Sequence, residues 1–276
     1  MWQRIEEGRN LRWLGEETLT DLFIRDLLRL RMPGFEITGF DKPAEGKNGA
    51  DWEWWFQGSS GKWLGMRVQA KVIFKNSHKF DHLHYPGPKK SPKNKPDNEF
   101  YQSDKLIDLS KCDHKSPLVP IYMLYCQWSS LPKRPLRLSD WVNGTDESTL
   151  GCSIMAARRV MELRISGSHK ERKSYYRSLY DVAPYMYPLN FLACNSFNRA
   201  GNSVAERIEE GLKAIGAIDK NSGVQYLLEE PPRYIVDLIK NKDTTTPYPE
   251  YVGLGKNQAA DTETTKVLFL QTNTAS

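Results

Sequence analysis

Asp51 and Glu53 stand two residues apart, and so do Gln69 and Lys71. That spacing puts side chains on one face of a β-strand. Both pairs fall in NGADWEWWFQGSSGKWLGMRVQAKVIF, residues 48–74, which reads as two strands and a turn. The first strand is Asp51 to Phe56, dense in aromatics. The second is Trp63 to Phe74, with Leu64, Met66, Val68, Ala70, Val72 and Phe74 on one parity. Gln57-Gly58-Ser59-Ser60-Gly61 is turn chemistry, because glycine takes positive φ at little cost and serine bonds its own backbone. A hairpin therefore gathers two carboxylates, an amide and an ammonium at the edge of a hydrophobic sheet. Oxygen ligands of this kind suit hard cations such as Mg²⁺ or Mn²⁺. Such a cation lowers the pKa of a bound water and neutralises charge on a phosphoryl group. A neighbouring lysine acts on that water or on the phosphate as a compact point charge. The pattern points to metal-assisted phosphodiester cleavage. The alternative is a solvated strand face, which carries charges routinely.

An Asp on one strand, followed a strand and a turn later by (Asp/Glu/Gln)-x-Lys, resembles the PD-(D/E)xK, or restriction-endonuclease-like, nucleases. Here the residues are Asp51 and Gln69-Ala70-Lys71. The string GADWEWWF…WLGMRVQAK also resembles a bacterial and fungal family often assigned to that superfamily, with no established activity. That likeness covers roughly residues 14–126, with weaker echoes to about 195. The resemblance implies an α/β fold with a restriction-endonuclease-like core, a small mixed sheet flanked by helices, and a DNA (or RNA) substrate. It implies that Asp51, the Gln69 side-chain oxygen and the Ala70 carbonyl hold Mg²⁺ or Mn²⁺, and that Lys71 acts on water or phosphate. Glu53 or Glu17 would be the extra carboxylate, and Gln102 on the next helix would touch phosphate or water. A homodimer is among the expectations, since many similar nucleases pair to cut both strands. Position 69 departs from the commonest pattern: Gln replaces Asp or Glu and removes one negative charge. Some nuclease branches use Q-x-K. The second expectation is a catalytically inactive nucleic-acid-binding or regulatory module on the same fold.

The elements that must position these residues are legible in outline. Residues 1–14 read as a lead-in. Thr18-Leu19-Thr20-Asp21 fits a capping box, and Leu19, Leu22, Phe23, Leu27 and Leu30 follow at helical spacing up to Pro33-Gly34. Glu16 and Glu17 precede that helix. Phe35 to Phe40 alternates like a strand, and residues 41–49 form a loop. Strand parity sets Trp52 and Trp54 opposite the carboxylates, in the core. Asn98 to Asp108 reads as helical, and Pro117 to Cys126 as a strand buried on both faces. Helical spacing also marks Thr149–Leu163 and Asn202–Ile215; Pro188 to Cys194 reads as a late strand, and Tyr234 to Ile239 as a short apolar element. Residues 15–240 are thus expected as one α/β domain, with 241–276 a mobile tail.

At 276 residues and 39% hydrophobic content, the chain can bury one substantial core. Its formal charge of +5 is compatible with nucleic acid. Lys89, Lys90, Lys93 and Lys95 lie among prolines in a basic loop, residues 86–96, that either meets phosphates or is solvated surface. Arg158, Arg159, Arg164 and Arg177 interleave with Tyr175, Tyr176 and Tyr180, with the same two readings. His78, His82 and His84 lack companions at metal-ligand spacing. The four cysteines are widely spaced, which reads as reduced thiols. Without a signal-like apolar run or a stretch of about 20 apolar residues, the expectation is a soluble cytoplasmic protein with no membrane partner.

Overall fold

The computed structural model describes residues 15–29, 35–39, 50–73, 78–85, 101–111, 116–126, 151–168, 176–194, 203–240 and 266–271. Its axis is the second strand of the expected hairpin, β3 (Trp63–Val72), every residue of which is buried. β1 is Phe35–Gly39, and β2 (Trp52–Gln57) pairs antiparallel with β3, Trp52 opposite Val68 and Gln57 opposite Trp63. In the turn Gly58 N–H donates to Lys62 O at 3.0 Å, and Gly61 takes φ +80°, open to glycine because it has no Cβ. β4 (Val119–Tyr125) runs parallel to β3, as a crossover through a helix demands. β5 (Cys152–Ala156) and β6 (Tyr187–Pro188) follow antiparallel. β7 (Leu227–Leu228) pairs with β3, and β8 (Lys266–Gln271) lies between β1 and β2. Among the described residues the result is a mixed eight-stranded sheet.

The helices are α1 (Glu16–Arg29), α2 (Gln102–Lys111), α3 (Ala157–Ser168), α4 (Leu179–Val182), α5 (Phe191–Cys194), α6 (Val204–Ala214) and α7 (Arg233–Lys240). Period-two alternation along β3 feeds one layer: Leu64, Met66, Val68, Ala70 and Val72 pack with Trp52, Trp54, Leu19 of α1 and Ile208 and Leu212 of α6. Tyr122, Leu124 and Met155 pack on the other face with Leu106 of α2 and Val160 of α3. A smaller cluster joins Trp55, Trp63 and Leu118 to Ile235 of α7. Gly65 makes room for it: a Cβ there would lie 2.4 Å from Leu118 Cδ2 and 2.7 Å from the Trp55 ring. The chain is an α/β protein with a mixed sheet flanked by helices, and among the described residues no helix is long and apolar enough to cross a membrane.

Three expectations change. Thr149–Leu163 is not one helix: Cys152–Ala156 is β5, and α3 starts at Ala157. The open edge of β4 takes five residues into antiparallel pairing, Ile121 opposite Ala156 through Tyr125 opposite Cys152. A neighbouring strand overrides a local helical period. Pro188 to Cys194 holds only the end of β6 before α5. Lys266–Gln271, within the expected mobile tail, is β8, bonded to a strand on each side, so the sheet extends beyond the expected 15–240 boundary. Residues 1–14, the basic loop 86–96 with Lys89, Lys90, Lys93 and Lys95, and 241–265 of the expected tail lie outside the described residues.

Candidate functional site

The hairpin delivers Asp51, Gln69 and Lys71 to one place, where the start of β2 meets the end of β3. Asp51 N–H donates to Val68 O at 2.9 Å, which anchors its backbone to β3. Its Oδ2 then accepts from the Ala70 amide at 2.6 Å and from Gln69 Nε2 at 2.7 Å. Gln69 Nε2 also lies 3.3 Å from Ala70 O. Gln69 is buried, and its Oε1 accepts from Gln102 Nε2 at 2.6 Å. Gln102, the first residue of α2, donates its own backbone N–H to Tyr85 O. Beside it, the Arg164 guanidinium sits 3.9 Å over the Tyr101 ring and pairs with Asp104, fixing α2 against α3.

Lys71, 4% exposed, pairs at 3.0 Å with Glu16 at the start of α1. A buried ammonium needs such a counter-charge. Burial pushes the Glu16 pKa up to about 7; the Lys71 charge opposes that rise and the Asp51 carboxylate adds to it. Among the described side chains of α1, Glu16 is the carboxylate that meets Lys71. The expected capping box set the helix start at Thr18, but the helix begins at Glu16, and Thr20 turns its hydroxyl back to Glu16 O at 3.0 Å. Glu17 lies in the first turn of α1, and its side chain is outside the described residues.

Glu53 shares the strand face of Asp51 but belongs to another cluster. It is fully buried; its Oε1 accepts from Arg67 Nη2 (2.9 Å) and Nε (3.2 Å), and its Oε2 from Trp55 Nε1 (3.2 Å) and the Tyr234 hydroxyl (2.6 Å). Four donors on two oxygens commit it to holding α7 against the hairpin, away from the metal-ligand role expected of it.

Tyr122 is a residue that sequence reasoning missed. It sits on β4 opposite Gln69, fully buried, and its hydroxyl has no hydrogen-bond partner among the described residues. Burial raises its pKa, and the Asp51 and Glu16 charges raise it further. The apolar run Pro117 to Cys126 hid it, because a tyrosine in a central strand reads as packing. Elsewhere, His84 bonds Tyr176 O at 2.8 Å, and burial lowers its pKa to about 4. Arg158 and Arg159 pair with Glu162, and Arg177 pairs with Asp81. Each of these side chains has a protein partner in the fold.

The donor set suits a hard cation. Asp51 Oδ2 and the Ala70 carbonyl, two of the three expected ligands, converge on a single hydrogen-bond donor, the Gln69 amide nitrogen. That nitrogen sets a partial positive charge beside two oxygens of the kind hard cations take. Glu16 adds a second carboxylate across Lys71. Turned about its terminal torsion, Gln69 would present an oxygen instead. Among the described residues no group of three or more His, Cys, Asp or Glu side chains is placed to hold a metal, so this set relies on amide and carbonyl oxygens beside two carboxylates.

The chain belongs to DUF6615, a family of unknown function, whose model matches residues 1–274. No curated protein and no solved structure matches it.

Proposed function

We propose that this DUF6615 member is a divalent-metal-dependent nuclease that hydrolyses DNA phosphodiester bonds, with a core like that of the PD-(D/E)xK enzymes. The observation that carries the reading is the convergence of Asp51, Gln69, Lys71 and Glu16 where β2 starts and β3 ends. Asp51, Glu16, the Ala70 carbonyl and a turned Gln69 would hold Mg²⁺ or Mn²⁺. When bound, the metal supplies an activated water and neutralises charge on the phosphate. Lys71, held by Glu16, presents its ammonium to that water or to a phosphate oxygen. Gln102 holds the Gln69 amide. Free thiols at Cys126 and Cys152 suit a reducing, cytoplasmic setting. RNA is the alternative substrate, and a homodimer would cut both strands.

One observation favours a second reading, an inactive nucleic-acid-binding or regulatory module. Gln69 satisfies Asp51 with a donor of its own, so this site needs no cation to relieve repulsion between two acids. The test is incubation of the protein and of Lys71→Ala with plasmid DNA, single-stranded DNA and RNA in Mg²⁺, Mn²⁺ or EDTA. Metal-dependent cutting that Lys71→Ala loses is the expected result. Intact substrates with a folded wild type that still shifts them on a gel would replace the nuclease with the binding module.

A further inference from the structure

We propose that Gln102 is a positioning residue: it governs which atom of Gln69 faces Asp51, and so how tightly the site takes a divalent cation. The inference rests on the metal-site reading above and assigns that site its control.

The argument follows the hydrogen bonds. An ionised carboxylate only accepts, so Asp51 requires the NH₂ of Gln69, at 2.7 Å. That turns Gln69 Oε1 towards α2, where it requires the NH₂ of Gln102, at 2.6 Å. Gln102 Oε1 is then left buried with no partner among the described residues. Neither amide can reverse alone. A reversed Gln69 would set oxygen against the Asp51 carboxylate, and a reversed Gln102 would set oxygen against Gln69 Oε1.

A cation on Asp51 inverts the demand at the first link. Gln69 must then offer oxygen, and its NH₂ swings to where Gln102 now donates. The acceptor it needs there is Gln102 Oε1, the atom uncommitted in the present arrangement. Terminal amide torsions are soft and nearly two-fold, so both side chains can turn without moving the backbone. The backbone itself is held, by the Gln102 N–H bond to Tyr85 O and by Tyr101 under Arg164. The two glutamines act as one two-state element whose setting is coupled to the cation.

The experiment is a titration of the full chain with Mg²⁺ alone, following the side-chain amide resonances of Gln69 and Gln102 by NMR. Both are expected to shift with a single midpoint. Gln102→Glu, which only accepts when ionised, favours the cation-ready setting. It should tighten Mg²⁺ binding about fivefold to tenfold, one buried hydrogen bond's worth. That gain should vanish in a Gln69→Leu background, where an effect of the added charge alone would persist. Gln102→Met neither donates nor accepts, and should displace the Gln69 resonance before any Mg²⁺ is added. If Gln69 responds to Mg²⁺ while Gln102 does not, or if Gln102→Glu leaves the affinity unchanged or weaker, the role of Gln102 is overturned and the metal centre stands. If neither amide responds to Mg²⁺, both are overturned.

Discussion

Two carboxylates two residues apart on one strand face, Asp51 and Glu53, have opposite surroundings. Glu53 is sealed: it is fully buried, and Arg67, Trp55 and Tyr234 direct four donors at its two oxygens. The Asp51 end is not. There Glu16 has a pKa raised to about 7, a buried lysine depends on it, and Tyr122 and Gln102 each carry a buried polar atom without a partner among the described residues. Buried polar groups are normally satisfied, and each exception asks for an explanation. A closed network holds a fold together. An open one of the same residue types stores the capacity to bind something else.

The largest expected effects separate the two ends. Asp51→Asn and Lys71→Ala should each lower DNA cutting by at least about three orders of magnitude, over 4 kcal/mol of barrier. Both should keep a cooperative fold: Asn still accepts the Ala70 amide, and Glu16 can protonate once Lys71 is gone. Arg67→Ala should do the reverse. It strands a buried carboxylate and should cost about 3–5 kcal/mol in urea denaturation, with cutting per folded molecule unchanged. Lost cutting in Arg67→Ala at temperatures where it stays folded would break the distinction.

How much of this the chain declares follows from the range of each interaction. The hairpin was legible, because period-two alternation and a glycine-serine turn are local signals, and they bring Asp51, Gln69 and Lys71 together. The start of α1 was not: the local pattern set it at Thr18, the helix begins at Glu16, and helix ends are the least defined part of a helical pattern. Strand parity put Glu53 beside Asp51 but said nothing of Tyr234, 181 residues away, whose hydroxyl helps to settle its role. β5 and β8 were misread for one reason: their partners are distant strands, and pairing with them decides the conformation of short apolar runs.

Acidity sharpens the comparison at a smaller scale. In the folded chain Glu16 keeps its proton up to about pH 7, whereas its ordinary value is 4.5. Between those values the folded state binds a proton the unfolded state has released, so stability falls as pH rises through the window. The loss should be about 1–3 kcal/mol, read from urea midpoints at intervals from pH 5 to 8. Glu16→Gln should remove that slope. Cutting should rise in the same window, since only the ionised carboxylate can serve as a ligand, and Glu16→Gln should flatten the rise. A wild-type stability profile flat across the window would mean that burial does not hold the proton on Glu16.

The smallest effects form the most direct contrast, because the chemical change is the same twice. Tyr234→Phe deletes a hydroxyl that donates to buried Glu53 at 2.6 Å. Tyr122→Phe deletes a hydroxyl that no described group bonds, though the Asp51 and Glu16 charges act on it. The first should cost about 1.5–3 kcal/mol, as a bond to a charged group does. The second should cost under about 0.5 kcal/mol, or stabilise, since removing an unpaired buried hydroxyl lifts a desolvation penalty. Paired thermal melts decide it, with Mg²⁺ absent so that nothing else engages Tyr122. Equal losses would mean that Tyr122 has a partner in the folded chain, and the Asp51 end would then be as closed as the Glu53 cluster. Unequal losses in the expected order would show that the Tyr122 hydroxyl goes unbonded in the folded chain, which leaves the Asp51 end the more open of the two.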